Sequence, residues 1–409
     1  MLLILIKLAW RNILRNKRRT LIASTAISIG LAALIFLDAL MIGMFENMIK
    51  TATESFIGDA QIHRQGYRDT LEVSMTIEQP DKVTANLAKE ANVQHFTRRT
   101  FVMGMIASAA NKSAISLVGI QPHTEKHLSQ IDDAISEGVF FEGTNTQDIV
   151  IGSKLAENLE VTLGDKVVVT VVQANTGEYF TEAFRVSGIY YFADAAMNSG
   201  MAFIRIRKAQ QMLAIGNRIH QIAIKFTSTA YAQNRELPFW TNYSQHGNEA
   251  LSWTDILPQL PKVFEISKYS KYIMGGVLFG IVVFGIINTL FMSLYDRMFE
   301  FGVLRAVGTR SFGMARIMLF EAAALAIISI IFGGVLGYAL VAIFAHFGLD
   351  FTGNEMMGVT LQEFIYPVIK IEQFITYPVS VFIFTIIAGL YPAWHLARMK
   401  PVDAMRRSF

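Results

Sequence analysis

The stretch Leu21–Phe45 reads LIASTAISIGLAALIFLDALMIGMF. It holds one acidic residue, Asp38, and no Lys or Arg. A helix of that length crosses a hydrocarbon layer of about 30 Å. Three more such stretches follow, at Ile273–Tyr295, Ile317–Phe347 and Phe374–Trp394. The spacing is one plus three, with a long segment of mixed polarity after the first. A soluble domain has no use for four such segments. The fold class is an α-helical membrane protein with four transmembrane helices and one large α+β extracytoplasmic domain.

Composition agrees. Hydrophobic residues make up 52% and charged residues 17%, against about 25% charged in soluble domains. The net charge of +3 says little, because the charge is unevenly placed. The chain has no Cys, which excludes disulfides, thiolate metal ligands and thiol-linked lipid anchors. The first apolar run is longer than the roughly 7–15 residues of a signal-peptide core, so it reads as a span.

Cations near the helix ends set the orientation. Lys7, Arg11, Arg15, Lys17, Arg18 and Arg19 precede the first span. Arg297, Arg305, Arg310 and Arg316 lie between the second and third, and Arg398, Lys400, Arg406 and Arg407 follow the fourth. Only Asp296, Glu300 and Asp403 oppose them there. The loop between spans three and four is acidic, with Asp350, Glu355, Glu363 and Glu372 against Lys370. Both termini and the 2–3 loop are therefore expected in the cytoplasm and the large domain outside. Lys262, Lys268 and Lys271 run against this bias and are outvoted.

The resulting plan is an interfacial helix at 1–19, spans at 20–45, 273–295, 317–347 and 374–394, and an outer domain at 46–272. A cytoplasmic loop at 296–316, a short outer loop at 348–373 and a tail at 395–409 complete it. In the first segment Lys7, Arg11 and Arg15 repeat every four residues, and Ile6, Trp10, Ile13 and Leu14 form another face. Such a helix lies among membrane lipids, with Lys7, Trp10, Arg11 and Arg15 as its surface anchors.

The outer segment holds 21 Lys/Arg and 24 Asp/Glu, a soluble balance. Lys166–Gln173 and Tyr179–Tyr190 flank the turn signal Asn175-Thr176-Gly177 and predict a hairpin. Phe101–Ile120 predicts a second strand pair turning near Asn111-Lys112, and His220–Phe226 a further strand. Helices are predicted at Lys82–Ala91, Ser153–Leu159 and Arg207–Ile215. Chemistry is scarce. His123, Glu125 and His127 are close in sequence, but a zinc site needs three or four converging ligands, so no metal is expected. There is no nucleophile elbow and no catalytic set. No Gly-x-x-x-x-Gly-Lys-Ser/Thr loop occurs, so the chain itself is not expected to bind ATP. No basic–aromatic pattern suggests nucleic acid.

Within the spans, Asp38 and Glu321 are the acidic residues, and a charge at that depth faces protein or water. A role in proton transfer, or packing and ion pairing, remains open for each. Asn288 is expected to hydrogen-bond between helices. Gly276/Gly280 and Gly333/Gly337 have the spacing of close helix contacts. The 2–3 loop is more specific: Asp296-Arg-Met-Phe-Glu-Phe-Gly-Val-Leu-Arg-Ala-Val-Gly-Thr-Arg310. Phe299, Val303 and Val307 repeat every four residues, with Phe301 and Leu304 beside them. Apolar residues on a short cytoplasmic helix want a partner groove or a membrane surface.

This loop resembles the signature of the FtsX/MacB-type ABC permease superfamily. Glu321 and the small-residue run Gly333-Gly334-Val-Leu-Gly337 follow it as in the family. The end "YPAWHLARMKPVDAMRR", the start "LAWRNILRNKRRT" and the outer segments "VGIQP", "ISEGVFF" and "IVIGSKLAENLEVTLGDKVVV" are also similar to it. The resemblance implies a porter-like α/β part and a mostly β insertion, within which residues from about 140 to about 190 would lie. It implies pairing with a second permease copy or paralogue, and a separate ABC ATPase subunit that uses ATP and Mg. Phe299, Glu300, Phe301, Gly302, Val303, Leu304, Arg305 and Gly308 would form the coupling segment, with Phe299, Phe301 and Val303 entering the ATPase groove. Four helices, a domain of this size and no fused ATPase bring the chain nearest the lipoprotein-releasing LolC/LolE type of the bacterial inner membrane. A lipoprotein or other membrane-derived substrate would then pass a lipid-facing cavity. Met41, Met44 and Phe45 of helix 1 would face Ile273, Met274 and Val277 of the partner's helix 2. Alternatives are a MacB-like efflux permease with an adaptor and outer-membrane channel, and an FtsX-like regulator of a cell-wall hydrolase. A periplasmic carrier or adaptor is a further partner. The LolC-type docking hook bears Pro, whereas the hairpin Gln173–Phe180 here has none.

Overall fold

A computed structural model describes residue 11 and residues 17–192, 195–296, 298–350, 355–356, 359–360 and 364–398, with the backbone alone at 19, 305, 355–356 and 359–360. Lys7, Trp10, Arg15 and most of the tail lie outside the described residues; Arg11 is helical and exposed. The chain divides into two compact units. One takes residues up to Glu46, then Phe264–Asp350 and Phe364 onward; the other is built on Asn47–Val263.

The first unit is helical. Its long helices are Lys17–Ala52, Gln259–Asp296, Ser311–Phe347 and Gln373–Arg398. All four are long and apolar enough to cross a membrane. The first two overrun the apolar stretches that mark them. At 1.5 Å per residue, the 36 residues of the first helix rise about 54 Å, well beyond a hydrocarbon core of about 30 Å. The helix that carries the second span starts at Gln259, so residues 264–272 belong to the helical unit rather than to the outer domain.

Ile27, Leu31, Ile35 and Ala39 form one stripe on the first helix and are buried against Ile286 and Leu290 of the second, Met318, Ala322 and Leu325 of the third, and Val381 and Ala388 of the fourth. Close approach of the first and third helices needs glycine. A Cβ on Gly333 would sit 2.9 Å from the Ser28 carbonyl oxygen, and one on Gly337 would sit 3.3 Å from the Ala32 Cα. The spacing Gly333/Gly337 is thus a crossing point. Gly276 and Gly280, of the same spacing, have nothing within 4 Å and make no such contact in this chain.

The second unit is α+β. Its strands are β1 (Ala60–Arg64), β2 (Val93–Ala107), β3 (Lys112–Ile120), β4 (Ile135–Gly138), β5 (Asp148–Gly152), β6 (Lys166–Val172), β7 (Tyr179–Tyr190), β8 (Met201–Arg205), β9 (Gln221–Phe226) and β10 (Asn248–Ser252). They form one sheet in the order β10-β1-β9-β2-β3-β8-β5-β7-β4, with β6 bridging β2 and β7. The predicted hairpin is β6–β7, with Lys166 opposite Arg185 and Val172 opposite Tyr179. The second predicted pair is β2–β3, turning between Ala107 and Lys112. Predicted helices appear at Pro80–Leu87, Ser153–Leu159 and Ile206–Leu213. The segment expected as a β insertion contributes β5, β6 and β7 to the same sheet, because β5 pairs with β8 and β6 with β2.

Candidate functional site

The 2–3 loop folds as a short helix, Met298–Ala306. Gly308, at φ +100°, ends it; the Thr309 N–H returns to the Leu304 carbonyl at 3.0 Å. That left-handed conformation is open to glycine and strained for other residues. The third long helix then starts at Ser311. Met298, Phe301 and Gly302 are buried, whereas Phe299, Val303, Leu304 and Val307 are exposed, Val307 by 83%. Glu300 is half-buried and Gly308 exposed. The Arg305 side chain lies outside the described residues.

The expectation that Phe301 enters a partner groove together with Phe299 and Val303 is corrected here. Phe301 is 1% exposed and belongs to the core of the helical unit. The reason is rotational: two residues along a helix is about 200° of turn, so Phe301 faces away from Phe299. It anchors the short helix, and the outward face is Phe299, Val303, Leu304 and Val307.

Asp38 is 6% exposed and pairs with Lys271 of the second long helix. The Lys271 ammonium also lies 5.9 Å from the centre of the Tyr377 ring on the fourth helix. Lys271 was one of three lysines that opposed the cation bias; its charge is matched here by Asp38. Further along, Phe45 packs on Phe264 at 4.7 Å and Lys370 pairs with Glu46 at 3.1 Å. Glu321 is 8% exposed and accepts a hydrogen bond from Ser293 Oγ at 3.1 Å. Asn288, expected between helices, is exposed on the outside of this chain. Met41, Met44 and Phe45 are half-buried, and Phe45 is engaged by Phe264 of its own chain. Ile273, Met274 and Val277 are more than half exposed and point outward. The pairing of Asp38 with Lys271, and of Glu321 with Ser293, carries no sequence signal.

His123, Glu125 and His127 do not converge. Glu125 is taken by Arg99 and Ser129, while His127 stacks on His95 at 5.1 Å. Among the described residues no three His, Asp or Glu groups are placed to hold a metal ion. Arg99 and Glu125 form a fully buried pair, with the guanidinium 3.8 Å above the Phe56 ring. His63, Tyr67 and His220 form a buried stack. Burial, with Arg68 nearby, pushes the His63 imidazole down to about 3. Burial also lowers His220, whose Nε2 donates to the Val73 carbonyl while Nδ1 accepts from the Phe101 N–H.

The β6–β7 turn does not stand free. The Ala174 N–H donates to the Leu213 carbonyl at 3.1 Å, and Asn175 Nδ2 to the Ala214 carbonyl at 2.9 Å. Gln173 Nε2 adds a third bond, to the Met212 carbonyl. The turn is tied to the end of the helix Ile206–Leu213.

Two family models match this chain. The MacB-like periplasmic core domain covers residues 20–234, and the FtsX-like permease C-terminal covers residues 272–401. The lipoprotein-releasing system transmembrane protein LolC of Haemophilus influenzae is 24% identical over 95% of this chain and 93% of its own. LolE of the same organism is 21% identical over 74% of each, and LolC of Xylella fastidiosa is 22% identical over 70% of this chain and 72% of its own. Among solved structures, the periplasmic region of MacB from Actinobacillus actinomycetemcomitans aligns with a TM-score of 0.34 at 16% identity, over 50% of this chain and 92% of that one. The assignment rests on the family models, which together span both units. The chain belongs to the FtsX/MacB-type permeases, joining a MacB-like periplasmic core domain to an FtsX-like membrane domain.

Proposed function

We propose that this ABC transporter permease extracts lipoproteins from the bacterial inner membrane, driven by a separate ATPase on its cytoplasmic side. The observation that carries the coupling part is the outward face Phe299, Val303, Leu304 and Val307 on a helix held from behind by Phe301. That face docks in a groove of the ATPase, which supplies the ATP and Mg chemistry. A second permease, a copy or a paralogue, covers the exposed side of the second long helix, where Ile273, Met274 and Val277 point outward. The unit Asn47–Val263 lies on the periplasmic side. Lipoprotein as the substrate is supported by the kinship with LolC and LolE, both components of lipoprotein-releasing systems. A carrier that docks at the β6–β7 turn would meet the exposed residues Thr176–Tyr179, because the Ala174 N–H and the Asn175 amide are taken by their own domain.

The test is reconstitution of the permease pair and its ATPase in proteoliposomes loaded with a lipidated protein. ATP-dependent release into the supernatant is expected. Val303→Asp is expected to abolish release and permease-stimulated ATP hydrolysis, because burying one apolar side chain contributes about 1.5–3 kcal/mol and a carboxylate reverses it. Release of a soluble peptide, or of nothing, alongside normal coupling would reject lipoprotein as the substrate. Wild-type coupling by Val303→Asp would reject the docking face.

A further inference from the structure

A polar cleft of about 480 Å³ lies in the outer unit, between the helix Pro80–Leu87 and the turn from Tyr243 to Asn248. Its volume is in the range of ligand sites, about 300–1,000 Å³. The acidic groups in its wall are already engaged. Glu78 pairs with Arg64 at 2.9 Å, and Glu90 accepts a hydrogen bond from the Tyr243 hydroxyl at 3.2 Å. Asn248 is engaged too, its side chain bonding both the N–H and the carbonyl of Glu78. The cations are not. Lys82 and Lys89 are exposed and carry no ion pair among the described residues.

Three further lining residues, Asn86, Asn242 and Gln245, are exposed and each offers an amide donor and an amide acceptor. None of the three side chains has a hydrogen-bond partner among the described residues. A second observation concerns the rim. Gln79 and His246, on opposite sides, sit at φ +50° and +56°. Non-glycine residues held in this region cost about 1–3 kcal/mol and cluster at ligand clamps. Tyr243 is buried against Phe239 at 4.7 Å, which leaves the imidazole of His246 as the exposed ring of the lining. Paired amide donors and acceptors match a peptide backbone, which offers an N–H and a carbonyl at each residue.

We propose that this cleft binds an extended acidic peptide segment of another protein. Asn86, Asn242 and Gln245 hydrogen-bond its backbone, and Lys82 and Lys89 hold its carboxylates. The site goes beyond the transport reading and does not depend on which substrate is moved.

The test uses the full-length permease in detergent and a fluorescent, N-acetylated Glu-Gly-Glu-Gly-Glu peptide, followed by anisotropy. Wild type is expected to bind it, with affinity falling as salt rises from about 0.05 M to about 0.5 M. The double variant Lys82→Glu/Lys89→Glu is expected to bind at least about tenfold more weakly, equivalent to about 1.4 kcal/mol. Asn242→Ala, which leaves the charges in place, is expected to weaken binding without changing its salt dependence. Both variants alter exposed side chains, and size-exclusion profiles identical to wild type verify folding. The proposal is overturned by absence of peptide binding to wild type, by unchanged binding to the double variant, or by binding of trigalacturonate in place of the peptide.

Discussion

The two units treat buried polar groups in opposite ways. In the helical unit, some hydroxyls bond their own helix, as Thr385 bonds the Val381 carbonyl, but three polar ties join different helices. Asp38 pairs with Lys271, Ser293 donates to Glu321, and Ser28 Oγ donates to the Ser329 carbonyl at 3.0 Å. Each tie links two different long helices. In the outer unit, the buried groups are held close to a sheet. Arg99 and Glu125 meet in two parallel bonds, and burial lowers the pKa of both His63 and His220. Each unit thus draws its specificity from a different source. Where little hydrophobic drive sorts helices from lipid, polar ties and small residues choose the neighbours. In a water-facing domain the apolar core does that sorting.

The largest effect is expected at Arg99. Glu125→Ala leaves a guanidinium with no exposed surface uncompensated, and removal of one partner of a buried pair costs about 3–5 kcal/mol. The expected result is an outer unit that unfolds or is cleaved by protease while the helical unit still inserts. Measured by limited proteolysis in membranes, equal protection of the variant and wild type would show that the pair carries little.

A second break is steric. Gly333→Leu places a side chain on the Ser28 backbone, and overpacking of this kind costs about 1–3 kcal/mol. Gly280→Leu meets open space and is expected to leave the thermal stability of the isolated permease within about 0.5 kcal/mol of wild type. Thermal melts in detergent of the two variants check the contrast. A third is electrostatic. Asp38→Ala strands Lys271, but that side chain is 39% exposed, so the expected loss is roughly 1–2 kcal/mol, less than for a fully buried pair. Lys271→Ala in the same background should recover most of it. Failure of the double variant to recover would mean that Asp38 acts through another group.

These contrasts also mark what the sequence could say. The four spans were legible because apolar runs of their length have one common use. The β6–β7 hairpin was legible from Val alternation around Asn175-Thr176-Gly177. The orientation of Phe301 was also within reach, since its offset from Phe299 puts it on the opposite face, but the richness of the loop in apolar residues hid the period. The partner of Asp38 was not legible. Lys271 lies on the far side of the whole outer domain in sequence, and its charge read as a topology signal. Asn288 misled for a related reason: a lone amide in an apolar run has no periodicity to say which way it faces. The polar cleft left no trace either, since Lys82, Lys89 and Asn242 come together only when the helix Pro80–Leu87 meets the turn before β10.

The weakest of these contributions depends on pH. The His63 imidazole stands at about 3 in the folded outer unit, against about 6.5 in an unfolded chain. Between those values the unfolded state binds the extra proton, so stability is complete above about pH 6.5 and is lost as pH falls towards 3. From pH 7 to 5.5 the expected loss from this group is about 1 kcal/mol. His63→Gln removes the titrating group and keeps a polar side chain beside Gln61, its partner at 2.9 Å. The variant should lose less stability on acidification than wild type. It should not be flat, because His220 is also lowered by burial and contributes in the same direction. The readout is amide exchange of β1 and β9 in the full chain at both pH values, with the third long helix as internal control. If His63→Gln and wild type lose protection equally in β1 and β9, the acid sensitivity lies outside the stack of His63, Tyr67 and His220.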